Sequence, residues 1–296
     1  MSPQRFGGPW TEQKLAALEH YLKAYLRIFT ANPKAAGFTR HYVDAFAGSG
    51  LRQAQASPAE SRILAFEASD ADQALDYMDG SVRKVLSLDE NFHRYWFVEK
   101  DRAHAAGLRH MLSTEFPGRE RRCTVHEGDA NGFLRAWSTR LGPMDRAVVF
   151  LDPYGMEVEW STIEQLARTE KVDLWMLFPA SGVLRMLPHR GPPDEAWSRR
   201  LTMLFGDESW LDEFYSTTEK SDLFGQHQVT ERRVTEHAVA EYLIRRMKRI
   251  FVGVVDAPLV LRNSRKSPLF MLVFAASNRQ GAKPALKIAN YLIQSA

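Results

Sequence analysis

Four strand-like runs each pass into an acid, and that recurrence limits what this chain can fold into. The runs are HYVDAFAGSG, YWFVEKD, CTVHEGDAN and RAVVFLDPYG, and the acids are Asp44, Glu99, Asp129 and Asp152. Apolar residues cluster within the runs rather than alternating, as expected of a parallel sheet covered by helices on both faces. Helical patterns fall between them, over residues 59–79 and in AHAAGLRHMLSTEF. Sheets of this kind bind ligands outside the carboxyl ends of their strands. One acid there would mean little, whereas four in successive units imply a shared site.

A fifth run, VDLWMLFP, stops at Pro179, and the rhythm then changes. Residues 180–232, rich in Trp, Pro, Arg and Gly, read as a helical insertion. A basic helix follows near TEHAVAEYLIRRMKRIF, then two apolar runs, VGVVDAPLVL and SPLFMLVFAAS. Only RNSRK separates these two, too little for a helical crossover, so they should pair antiparallel. At the start, residues 1–30 are assigned to an N-terminal helix. Thr11 is its expected cap, and Leu15, Leu18, Leu22, Tyr25, Leu26 and Phe29 fall on one face. In that helix Trp10 and Lys14 read as packing and solvent residues, although both could close over a ligand.

A chain of 296 residues suits one α/β domain with an insertion. The 45% apolar and 25% charged content fits a packed core rather than disorder. No run approaches the roughly 20 apolar residues of a membrane helix, and the first residues lack a secretory pattern. A single cysteine, Cys123, excludes an internal disulfide or a cysteine metal cluster within the chain. The expectation is a cytoplasmic protein with no metal and no membrane association.

In DAFAGSG, Gly48 and Gly50 allow a sharp turn and close approach of a ligand to backbone, ahead of a helix N-terminus. This loop, an acid after strand two, GDA after strand three and DPY after strand four resemble a class I S-adenosylmethionine-dependent methyltransferase. The stretches PWTEQKL, DAFAGSG, FVEKD, FLDPYG and SPLFMLVFAAS resemble, more narrowly, the three-Cys-motif partner family of bacterial proteins. That family is named for the cysteines of a companion protein with radical-SAM-like spacing. The resemblance implies a Rossmann-like sheet of seven strands, six parallel and the last, near LFMLVFAAS, antiparallel.

It also implies a cofactor, S-adenosyl-L-methionine, held by Asp44, Phe46, Gly48, Gly50, Glu99, Asp129 and Ala130. Asp44 would sit under the methionine end, where a carboxylate favours the ammonium and sulfonium. Glu99 would accept from both ribose hydroxyls, its two oxygens matching a vicinal diol. The stretch between Asp44 and Glu99 is long for this fold, which leaves Asp101 as an alternative to Glu99. Asp129 would accept from the adenine amine beside Ala130, although Asp129 or Asn131 could equally cap the next helix.

DPYG resembles the four-residue motif of amino-methyltransferases, [D/N/S]-P-P-[Y/F], with one proline missing. The nitrogens those enzymes methylate are planar and poorly nucleophilic. The Asp152 carboxylate and Pro153 carbonyl would accept from the amine and draw its lone pair out, and the Tyr154 ring would stack on the flat acceptor. A plain Asp-Pro-Tyr-Gly turn is the bland alternative.

Residues 231–266 carry nine Lys or Arg against four acids, and Arg119, Arg121 and Arg122 form a second cluster. Arg185, Arg190, Arg199 and Arg200 decorate the insertion. Such patches suit a phosphate backbone, or simply a solvated helix face. Arg262, Arg265 and Lys266 are the substrate-binding candidates. Three readings stay open: a methyltransferase for a nucleic-acid amine (DNA or RNA), one for a small-molecule or protein acceptor, and a silent partner subunit of the three-Cys-motif protein.

Overall fold

The computed structural model describes residues 9–48, 80–153, 155–222, 225–263 and 266–295. The 59–79 helix, Gly50, Tyr154 and Arg265 lie outside them. The element order is α1 (Pro9–Ala31), β1 (Thr39–Asp44), β2 (Arg94–Glu99), α2 (Arg102–Glu115), β3 (Cys123–Glu127), α3 (Ala130–Ser138), β4 (Asp145–Leu151), α4 (Trp160–Arg168) and β5 (Val172–Phe178). The insertion holds α5 (Ala180–Met186), α6 (Glu195–Phe205), α7 (Trp210–Phe214), β6 (Tyr215–Asp222) and β7 (Gly225–Arg232). The chain ends with α8 (Glu236–Met247), β8 (Gly253–Val254), β9 (Leu259–Arg262), β10 (Pro268–Ala276) and α9 (Ala282–Ser295).

The main sheet runs β3-β2-β1-β4-β5-β10-β8, with β9 also on β10. Pairings among β1 to β5 are parallel, and β10 is antiparallel to β5, β8 and β9. This is the class I methyltransferase fold, with its antiparallel last strand in the expected place. The described strands of this sheet number eight rather than seven because the sixth is split. β9 pairs with Pro268–Leu272 and β8 with Ala275–Ala276, along the same edge of β10. Asp256, Ala257 and Pro258 interrupt what would be one strand, and a proline cannot donate to the ladder.

The insertion departs in part from the expected helical, irregular form. It is helical to Phe214 and then forms the β6–β7 hairpin, a separate two-stranded sheet. Thr217 and Thr230 face each other across it at 2.9 Å, a cross-strand pairing of β-branched residues with no apolar run to announce it. α1 begins at Pro9, a residue tolerated in the first turn of a helix, so Thr11 lies inside the helix rather than capping it.

The expected face of α1 is the buried one: Leu18, Leu22 and Leu26 are each 1% exposed. It packs on the sheet through an aromatic cluster in which Tyr21 meets Trp175 at 5.3 Å and Phe274 at 4.9 Å. β5 is buried along its whole length, as a central strand covered on both faces should be.

Candidate functional site

β1, β2 and β4 are adjacent and parallel, so Asp44, Glu99 and Asp152 emerge at one end of the sheet. Asp44 is the last residue of β1 and fully buried. Its Oδ2 accepts from Ser81 Oγ at 2.7 Å and its Oδ1 from the Phe46 N–H at 3.3 Å. Burial pushes its carboxyl up to about 7; the Ser81 bond opposes this, the Asp152 charge adds to it, and the Phe46 N–H and Lys14 oppose it. A buried acid so raised is a place where a bound cation relieves unfavourable desolvation.

Glu99 ends β2 and is 6% exposed. Oε2 accepts from the Gly48 N–H at 3.0 Å and Oε1 from the Asp101 N–H at 2.8 Å. A carboxylate offers about four acceptor positions, so these two bonds leave capacity on each oxygen. Burial raises its pKa, and the Asp101 N–H, His104 and the Gly48 N–H oppose the rise. Gly48 itself has φ +67, a left-handed conformation that favours glycine, so the turn that delivers its N–H depends on the residue type.

Of the two acids left open after β2, Glu99 is buried. Asp101 is exposed and caps α2, accepting the His104 N–H at 2.9 Å. Asp129 is likewise an exposed cap, on α3, accepting the Gly132 N–H at 2.6 Å. Ala130 beside it is buried.

Asp152 follows β4 and Pro153 is buried after it. The Lys14 ammonium donates to Asp152 Oδ2 at 2.6 Å, with side-chain exposures of 1% and 11%. Lys14 therefore does not face solvent, contrary to the sequence expectation. Burial lowers its pKa against the opposing pull of Asp152.

Asn131, named in the sequence only as an alternative cap, is 5% exposed inside α3. Its Nδ2 donates to the Glu157 carbonyl at 2.8 Å, and its Oδ1 accepts from the Glu159 N–H at 3.0 Å and Thr162 Oγ1 at 2.9 Å. It fixes the segment that follows the DPYG turn. Ser81, Lys14 and Asn131 are thus site-building residues that the motifs did not single out.

Arg262 and Lys266 sit in the β9–β10 turn. β9 runs parallel to β5, so this turn lies at the same end of the sheet as the acids. Both are exposed, and Arg262 Nη1 donates to the Lys266 carbonyl at 3.0 Å. Beside the turn is a groove of about 670 Å³, lined in part by Arg185, His189, Arg232, Asn263 and Ser267. The basic residues of α8 point elsewhere: Arg246 is buried and pairs with Asp207 at 2.7 Å, and Arg245 pairs with Glu213 at 2.6 Å. No described helix is long and apolar enough to cross a membrane.

No family model matches the chain, and no curated protein matches it. Among solved structures it is similar to LPL1258 from Legionella pneumophila, of family-model DUF519. Identity there is 11% and the TM-score 0.43, covering 94% of this chain and 90% of that one. The glycopeptide N-methyltransferase MtfA, complexed with S-adenosyl-L-homocysteine, is 12% identical with a TM-score of 0.33, over 86% and 89%. A spermidine synthase, in complex with the transition-state analogue AdoDATO, is 10% identical with a TM-score of 0.39, over 90% and 61%.

Proposed function

We propose that this protein is an S-adenosylmethionine-dependent methyltransferase acting on an amine, with a nucleic-acid base as the acceptor. The observation that carries the reading is the convergence of buried Asp44 and Glu99 with Asp152 at the carboxyl end of a class I methyltransferase sheet. Keeping an acid wholly buried, with its carboxyl pushed up to about 7, costs stability. Asp173 bears the same cost within an aromatic cluster, whereas Asp44 bears it beside Glu99, Asp152 and Lys14, and that grouping favours an active site over the silent alternative.

The cofactor residues are Asp44 for the methionine end, Glu99 for the ribose, and Asp129 with Ala130 for adenine, with Phe46, Gly48 and Gly50 shaping the loop. When bound, S-adenosylmethionine supplies an electrophilic methyl group. Asp152 and the Pro153 carbonyl accept from the acceptor N–H₂ and draw its lone pair towards the methyl, and Tyr154 stacks on the base. Arg262, Arg265 and Lys266 bind phosphate, and the described residues Arg262 and Lys266 sit in a turn whose Asn263 and Ser267 line the groove with Arg185 and Arg232. The narrower assignment, to the three-Cys-motif partner family with its companion protein, rests on the sequence stretches given above.

The test has two stages. Isothermal titration with S-adenosylmethionine comes first, with micromolar binding expected. Radiolabelled methyl transfer is then screened against total RNA, genomic DNA and cell lysate, with a salt-dependent shift assay for nucleic acid. Asp152→Ala should abolish transfer while leaving cofactor affinity within a few fold, since it acts mainly in the transition state. Full transfer by that variant would reduce DPYG to a turn.

A further inference from the structure

Lys14 belongs to the first helix, yet its ammonium lies in the interior at the end of β4. It reaches Asp152 Oδ2 at 2.6 Å and is 1% exposed. Asp152 Oδ1 has no hydrogen-bond partner among the described residues. The register that pairs Asp44 with Phe150 puts Asp152 two residues beyond Asp44 on the neighbouring strand. Lys14 acts on both acids, and its ammonium also lies 5.9 Å from the centre of the Phe150 ring.

A buried lysine needs a reason, because taking an ammonium out of water is costly unless it is paired. Helix stability supplies none, since an exposed lysine at this position would serve as well. Two carboxylates on adjacent strand ends supply one. Like charges so placed repel, and a single cation fixed against them offsets that repulsion.

We propose that Lys14 is a positioning residue of the acceptor site, a built-in counter-cation that anchors Asp152 by Oδ2, turns Oδ1 to the incoming amine and supports the charge of Asp44. The role at the amine rests on the reading of Asp152 above; the electrostatic role stands apart from it. The groups facing Asp44 are Ser81 Oγ, the Phe46 N–H, Asp152 and Lys14, with the Tyr42 hydroxyl also feeling its charge. Among the described residues facing Asp44, Lys14 is the cation.

The experiment is a carboxyl-carbon NMR titration of aspartate-labelled protein between pH 4 and 9. Two buried aspartates, Asp44 and Asp173, are expected to titrate near 7, and Asp44→Asn and Asp173→Asn assign them. Lys14→Met should raise the Asp44 midpoint and leave Asp173 in place. Lys14→Arg should restore it. Titration with S-adenosylmethionine at pH 7 and 8.5 gives the second readout. Affinity lost in Lys14→Met at pH 7 should recover at pH 8.5, which a merely misfolded site would not do. An unmoved Asp44 midpoint in folded Lys14→Met overturns the proposal. A moved midpoint in a protein that never binds the cofactor leaves Lys14 its electrostatic role and removes the methyltransferase reading instead.

Discussion

Asp44 and Asp173 are both buried, and both have carboxyls pushed up to about 7 by burial, yet they stand at opposite ends of one sheet. Asp44 closes β1 at the carboxyl end, among a glycine turn, two further acids and the Lys14 ammonium. Asp173 opens β5 at the amino end, where Tyr21 donates to Oδ2 at 2.6 Å beneath the Tyr21–Trp175–Phe274 cluster. A raised carboxyl therefore does not mark a site by itself. Neighbours decide: beside Asp44 are two further acids, Lys14 and backbone donors, whereas Asp173, with the Arg146 charge acting on it, is tied to an aromatic wall that holds α1 on the sheet.

The comparison breaks most visibly at Tyr21. Tyr21→Ala removes a fully buried ring and leaves Asp173 without its donor, so unfolding in urea should show a loss of about 3–5 kcal/mol. A loss below about 1 kcal/mol would deny the amino-end cluster its structural role. At the other end, Asp44→Ala and Glu99→Ala should each weaken S-adenosylmethionine binding by about 1.5–3 kcal/mol, roughly ten- to over a hundredfold by calorimetry. Parent-like affinity in both would move the cofactor elsewhere.

The two acids also differ in how a ligand should change their linkage to pH. Each carboxyl rises from 3.8 to about 7 on folding, so the native state holds protons that the unfolded chain releases. The stability this contributes is fully present below 3.8 and is lost as pH rises through about 7. Asp173→Asn should therefore gain stability relative to the parent between pH 4 and 8 in denaturant titrations. Saturating S-adenosylmethionine should flatten the part of the slope due to Asp44 and leave the Asp173 part unchanged. The smallest effect is expected at Asp101. Asp101→Ala should cost about 1 kcal/mol as a lost helix cap and leave cofactor affinity unchanged, in contrast to Glu99→Ala.

The strands and their terminal acids were legible because buried parallel strands leave continuous apolar runs and because a turn must follow each one. The antiparallel last strand was legible from a connection too short for anything else. The β6–β7 hairpin was hidden: YSTTEKSD and GQHQVTER carry no apolar face, since the hairpin forms a sheet of its own outside the main one. Lys14 was hidden for a different reason. In a helical pattern a lysine reads as solvent-facing, and its partner lies 138 residues away in the chain. Asn131 resembled a cap because its type suits one, and only the packing of α3 against the segment before α4 shows that its amide is spent there.

The first helix has a consequence for how the molecule comes into being. Lys14 and Tyr21 meet partners 138 and 152 residues later in the chain. During synthesis α1 leaves the ribosome well before β4 and β5, with its apolar stripe lacking the surface it will cover. Contacts so remote in sequence make loop closure costly and docking slow. The part of the acid cluster made first thus waits on parts made much later, and until they emerge its apolar stripe is uncovered.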